Sequence, residues 1–230
     1  MIRRNRKWAI ASEIESNMSG FKEDYWKQNY SEPKTMDAIG NVKDHVAYIK
    51  AFFNLENVDI SSIADLGFGH GVLFKRLLKT YIPHKALGIE PSEFVFKKAN
   101  VEKWKPVPST ELTLLNMDLK AWCLKSEKHV YDLGICMSVF QYIKDSDLKL
   151  ILPVLAKRFR YLYFTVPTDI EYQRQLEDHS FDDPWAIKRT QAQYLKLMKP
   201  YFTFVSNRII ESKVHFDETT TSFSELLYRF

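Results

Sequence analysis

Ile63-Ala64-Asp65-Leu66-Gly67-Phe68-Gly69-His70-Gly71 is the stretch on which the reading of this chain turns. Residues 63–66 form a short apolar run broken by one acid, the pattern of a buried strand. Glycines follow at alternate positions, and Val72, Leu73, Leu77 and Leu78 then recur at helical spacing. The stretch therefore predicts a strand, a glycine turn and a helix. Glycine permits positive φ and leaves no Cβ between the main chain and a ligand. Free amides at the start of the helix can hold an anionic or carboxylate group.

The same unit repeats downstream. Residues 86–90 predict a second strand, with Ser92 as N-cap of the helix after it. Residues 112–115 give a third strand, and Tyr131-Asp-Leu-Gly-Ile-Cys136 gives a fourth. A helix over 146–158 follows, with Pro153 expected to kink or divide it. Residues 161–166 read as a fifth strand. The stretch from Pro167 to Arg189 is polar and acidic, and a helix resumes over 189–198 before Pro200. Alternating patterns at 202–206 and 223–230 predict two strands paired antiparallel at the sheet edge. Strands alternating with helices imply parallel pairing with helices on both faces.

Upstream of the glycine turn, Phe21, Tyr25, Trp26 and Tyr30 crowd together on a short helical pattern that Pro33 stops. Val46, Ile49, Phe52 and Phe53 make an apolar stripe on a helix over Val42–Leu55. These aromatics are expected mostly to pack a cap onto the sheet, with one or two lining a cleft. Residues 1–58 are therefore read as an N-terminal helical extension or cap, and 59–230 as the α/β domain.

Glycine spacing separates two cofactor classes. A dinucleotide fingerprint, Gly-x-Gly-x-x-Gly counted from Gly67, needs glycine at the position held by Val72. The third glycine stands instead at Gly71, and Asp65 precedes the first by two residues. Here the chain resembles the class I S-adenosylmethionine-dependent methyltransferases, whose first motif is an acid two residues before Gly-x-Gly-x-Gly. Their second motif, an acid ending the next strand, is matched by Glu90 in Leu87-Gly-Ile-Glu90-Pro91. A third acid is matched by Asp118 in Asn116-Met-Asp118-Leu119, and the fourth motif by Tyr131 to Ser138.

The resemblance implies a Rossmann-like methyltransferase fold, mostly parallel, with an antiparallel C-terminal edge. It implies S-adenosyl-L-methionine as cofactor, held by Asp65, Gly67, Phe68, Gly69, Gly71, Glu90, Pro91, Asp118, Leu119 and Cys136. The glycine turn and Asp65 would surround the methionine end. Glu90 would accept both ribose hydroxyls, as a carboxylate can, and Asp118 would lie near the adenine amino group. Asp132, at the start of its strand, reads as structural. Each acid taken singly is equally a helix cap or turn residue; their order at successive strand ends favours the functional reading.

The sequence also narrows the methyl acceptor. Many small-molecule members carry a histidine near Gln141, but this chain has Val139-Phe-Gln141-Tyr142, so that general base is absent. No Asn/Asp-Pro-Pro-Tyr/Phe or Pro-Cys pattern follows the fourth strand, and no acid ends it to hold a metal. Gln141 and Tyr142 are expected to face the acceptor, and His179 is the least improbable base among scattered histidines. A net charge of +4, from 33 Lys and Arg against 29 Asp and Glu, is too mild for a polyanionic partner. The basic cluster Arg3, Arg4, Arg6 and Lys7 reads as a solvated terminus, and it leads into polar residues rather than a secretory apolar run. No run is long enough to span a bilayer. Two cysteines, Cys123 and Cys136, make no disulfide framework or zinc site and suit the cytoplasm. The sequence thus predicts a cytoplasmic methyltransferase with a small-molecule acceptor. The alternatives are a binding protein of the same fold without turnover and, less favoured, a protein or RNA methyltransferase or a nucleotide-dependent oxidoreductase.

Overall fold

A computed structural model describes residues 23, 26, 37–126, 128–179, 183–223 and 229. Its strands are β1 (Ser62–Leu66), β2 (Lys85–Glu90), β3 (Glu111–Asn116), β4 (Tyr131–Met137), β5 (Phe159–Thr165), β6 (Phe202–Phe204) and β7 (Ile209–Ser212). The helices are α1 (Val42–Leu55), α2 (Val72–Tyr81), α3 (Glu93–Phe96), α4 (Val101–Trp104), α5 (Leu119–Cys123), α6 (Asp145–Arg158), α7 (Asp169–His179) and α8 (Gln191–Met198). A 3₁₀ turn spans Phe140–Tyr142.

The strands form one sheet in the order β3-β2-β1-β4-β5-β7-β6. β1 runs parallel to both neighbours, with Asp65 level with Gly88 on β2 and with Ile135 on β4. The chain leaves β1 toward β2 and β3, then returns past β1 to β4. Connections on either side of β1 and β4 therefore diverge, which opens a crevice at their carboxyl ends. The glycine turn leaves β1 at that point.

Both faces are covered. On one, Ile49 and Phe53 of α1 and Phe74, Leu77 and Leu78 of α2 are wholly enclosed with Ile63 and Leu133. On the other, Leu148, Leu152 and Leu155 of α6 pack with Trp122 and Phe159. Each such side chain contributes about 1.5–3 kcal/mol of burial. α6 runs through Pro153 as one helix; the carbonyl that proline leaves without a partner belongs to the exposed Lys149.

The C-terminal edge is antiparallel as predicted and β6 falls within the predicted 202–206, but the second edge strand is β7 rather than 223–230. β6 pairs with β7, and β7 pairs with β5 through Leu162 and Ile210. Polar Glu211 hides this strand in the sequence. It is buried, and it accepts hydrogen bonds from Thr221 Oγ1 (2.7 Å) and Arg229 Nη2 (2.5 Å). Phe223, predicted to open the last strand, instead lies in a turn and stacks on Phe52; residues 224–228 lie outside the described residues.

The acidic stretch after β5 also differs from expectation, because it contains α7. Thr168-Asp169-Ile170-Glu171 is the signature of a capping box, and Glu171 Oε2 accepts from the Thr168 amide at 2.7 Å. α8 begins at Gln191 under a complete capping box from Thr190 and Gln193. No described helix is long and apolar enough to cross a membrane.

Candidate functional site

The glycine turn is built by its neighbours. Gly67 has φ +109°, and its amide and that of Phe68 both donate to the Ile89 carbonyl of β2. A Cβ on Gly67 would lie 2.9 Å from Val139 Cγ2, in the turn after β4. At Gly71, with φ +65°, a Cβ would come within 2.4 Å of the Trp104 ring. At both positions an added Cβ would meet a protein side chain. Gly69 is different, since the nearest atom to its missing Cβ is Trp26 Cη2 at 3.5 Å.

Glu90 ends β2 beneath this turn and is 3% exposed. Its Oε2 accepts from the Gly69 amide and its Oε1 from the Ser92 amide, each at 2.8 Å. Burial nevertheless dominates these bonds and pushes its carboxyl up to about 7. Asp65, one strand away and 5% exposed, is raised well above the usual carboxylate range by burial and then by Glu90. Asn116 Nδ2 donates to the Glu90 and Pro91 carbonyls, which fixes the exit of β2. Ser92 stands at the N-cap of α3 as predicted, but its side chain makes no cap bond. Its Oγ instead accepts from Trp26 Nε1 at 2.8 Å.

Asp118 caps α5, with Oδ1 accepting from the Ala121 amide at 2.8 Å, and Leu119 beside it is buried. Phe68 is buried against Trp104. Cys136 has no exposure, and burial holds its thiol well above the usual range; its side chain belongs to the core. Asp132 binds the amides and hydroxyls of Ser61 and Ser62, a structural role as expected. His45 is enclosed between Tyr163 Oη (2.6 Å) and Asp37 Oδ1 (2.7 Å), pinning α1 to β5. The side chain of His179 lies outside the described residues.

Beyond β4 the chain turns sharply. Ser138 adopts φ +52°, a strained value for a residue with a Cβ, while its amide still donates to the Thr165 carbonyl. The 3₁₀ turn that follows is clamped by Arg189. That guanidinium donates to the Phe140 carbonyl (3.0 Å), the Ile143 carbonyl (2.6 Å) and Asp145 Oδ1 (2.7 Å). Tyr142 Oη donates to the buried Asp183 at 2.7 Å, which ties the turn to the segment after α7. Gln141 is 2% exposed, and its Oε1 has no hydrogen-bond partner among the described residues. Thr165 Oγ1, at the end of β5, is likewise buried and unpaired there. Arg189 and Thr165 escaped the sequence reading because only the fold brings them to this turn. Among the described residues no group of acids, histidines and cysteines could hold a metal.

No protein-family model matches the sequence, and neither does any curated protein. Solved structures do resemble it. An S-adenosylmethionine-dependent methyltransferase from Clostridium acetobutylicum ATCC 824 aligns over 83% of this chain and 99% of its own, with TM-score 0.62 and 14% identity. The N-methyltransferase NodS from Bradyrhizobium japonicum WM9, in complex with S-adenosyl-L-homocysteine, aligns over 81% and 97%, with TM-score 0.54 and 10% identity. The plantazolicin methyltransferase BpumL aligns over 82% and 76%, with TM-score 0.53 and 15% identity. The sheet order, the glycine turn at its switch point and these likenesses agree: the chain has the class I S-adenosylmethionine-dependent methyltransferase fold.

Proposed function

We propose that this protein binds S-adenosyl-L-methionine at the crevice above β1 and β2 and transfers its methyl group to a small-molecule acceptor. The observation that carries the reading is Glu90. A carboxylate stands at the end of β2, held by the amide of the glycine turn, where an adenosine ribose would meet it. The residues fit such a group. Each Glu90 oxygen accepts one amide, and a carboxylate has about four acceptor positions, so two remain for ribose hydroxyls. Asp65 and the main chain at Gly67 and Gly69 would face the aminoacyl part, and Pro91, Asp118 and Leu119 the base. Phe68 and Gly71 shape the turn through Trp104, and the enclosed Cys136 has no side-chain part in holding the cofactor.

The cofactor, when bound, supplies a methyl group already activated by its sulfonium. The protein's task is then alignment and exclusion of water. Gln141 Oε1, in the turn after β4, and Thr165 Oγ1, at the end of β5, are buried polar atoms without a hydrogen-bond partner among the described residues. They can orient an acceptor N–H or O–H, because a buried polar group gains most from a partner that satisfies it. Tyr142 already donates to Asp183 and so serves the shape of the turn rather than proton removal. A small acceptor fits the mild net charge of +4. Free Cys123 and Cys136, both buried, fit a reducing cytoplasm. In this reading residues 1–58 form a cap on a catalytic domain of 59–230.

Thermal unfolding with added ligand tests the assignment. At a hundredfold excess over its dissociation constant, S-adenosylhomocysteine should stabilise the native state by about 2.7 kcal/mol, and NAD should leave it unchanged. Stabilisation by NAD alone would refute the assignment. Transfer of labelled methyl to small molecules of a metabolite extract then separates turnover from mere binding.

A further inference from the structure

One of the N-terminal aromatics reaches the glycine turn. Trp26 belongs to the N-terminal part of the chain, yet it is 7% exposed because its indole lies on the glycine turn. Contacts with Ser92, Gly69 and His70 hold it there. Its Nε1 donates to Ser92 Oγ at 2.8 Å in a buried bond. Its ring edge lies 3.5 Å from where a Gly69 Cβ would stand, and it meets the His70 ring edge-on at 5.2 Å. Gly69 and Ser92 are also the two residues whose amides grip Glu90. The indole thus spans the pair of donors that frame the ribose-binding carboxylate. Glu90 and Asp65, two acids that a polar ligand must reach, are almost wholly buried.

We propose that Trp26 is a positioning residue of the cofactor site. Its indole, anchored by Ser92, forms the outer wall against which the adenosyl group is held, and its undocking limits release. The inference rests on the reading of this crevice as an S-adenosylmethionine site. It also implies that the cofactor site is incomplete within residues 59–230. The physical basis is twofold. A rigid aromatic wall buries apolar ligand surface at little entropic cost. A buried indole–hydroxyl bond must break before that wall can move.

The test is the rate at which tritiated S-adenosylhomocysteine leaves the full-length protein during a chase with unlabelled ligand. Trp26→Ala should release it at least tenfold faster than wild type. Trp26→Phe keeps a ring but removes the N–H donor, and Ser92→Ala removes the acceptor; each should speed release about threefold. The double variant Trp26→Phe/Ser92→Ala should be no faster than either single one, because both remove the same bond. Urea unfolding without ligand shows whether each variant is folded, and the Phe and Ser92 variants keep the test decisive if Trp26→Ala does not fold. Unchanged release in the folded variants overturns the proposal. So does slower release or tighter binding in Trp26→Ala, since the indole would then occupy the ligand's own place. A wild-type protein that binds no S-adenosylhomocysteine overturns the cofactor assignment itself.

Discussion

Replacing Glu90 by glutamine should change the pH dependence of stability more than stability itself. In the folded protein burial moves this carboxyl from 4.5 to about 7. Between those values the native state keeps a proton that the unfolded chain has released. Linkage then makes stability fall as pH rises through the window, from about pH 4.5 to about pH 7, and level off above it. At roughly 1.36 kcal/mol per pH unit, the whole effect is about 3 kcal/mol. Glu90 is buried, so solvent screening does not reduce this figure much.

The glutamine variant cannot titrate there. Its carboxamide oxygen can accept from Gly69 or Ser92 but not from both, and its NH₂ must face the other amide. That loss costs about 1–2 kcal/mol at every pH. Glu90→Gln should therefore be less stable than wild type at pH 5 and equal or more stable at pH 8, so the two curves cross. Asp65 adds in the same direction, because part of its upward displacement comes from Glu90 and vanishes with it. Urea unfolding followed by circular dichroism from pH 5 to 8.5 measures the difference directly. A gap between the two proteins that stays constant within about 0.5 kcal/mol would refute the buried-carboxylate argument. The same variant should bind S-adenosylhomocysteine at least tenfold more weakly, so that a gain in stability at high pH accompanies a loss of function.

Gly71→Ala should destabilise the fold by about 3 kcal/mol, since its Cβ would meet the Trp104 ring at 2.4 Å in a left-handed backbone; a loss under 1 kcal/mol in urea unfolding would contradict the packing role given to this glycine. Arg189→Leu should cost about 3 kcal/mol, because it abandons the Phe140 and Ile143 carbonyls together. Its methyl-transfer rate should fall further than its affinity for S-adenosylhomocysteine, since the guanidinium clamps the turn proposed to face the acceptor and not the glycine turn. Equal losses in the two assays would count against that division.

The sequence by itself determined the parallel core of this protein, because local patterns specify it. Asp65 to Gly71 stands where strand periodicity gives way to helical periodicity, and positive φ values at Gly67, Gly69 and Gly71 are a property that residue type reveals. Glu90 was legible through its order, as the second of three acids that follow one another at or just past successive strands. α7 was missed, because acidic composition masked the helix start that Thr168 and Glu171 mark. The antiparallel edge was legible in kind but not in place, since a buried Glu211 looks like a surface residue until Arg229 and Thr221 are seen beside it.

Tertiary structure alone decided which neighbours each motif residue serves. Val139 and Trp104 fill the spaces that Gly67 and Gly71 leave, and Asp118 spends one oxygen on its own helix. Trp26 reaches Ser92 across 66 positions, and Arg189 clamps a turn 46 to 49 positions away. Local sequence encodes backbone preference and periodicity, whereas such partnerships arise only when the sheet order brings distant segments to one crevice.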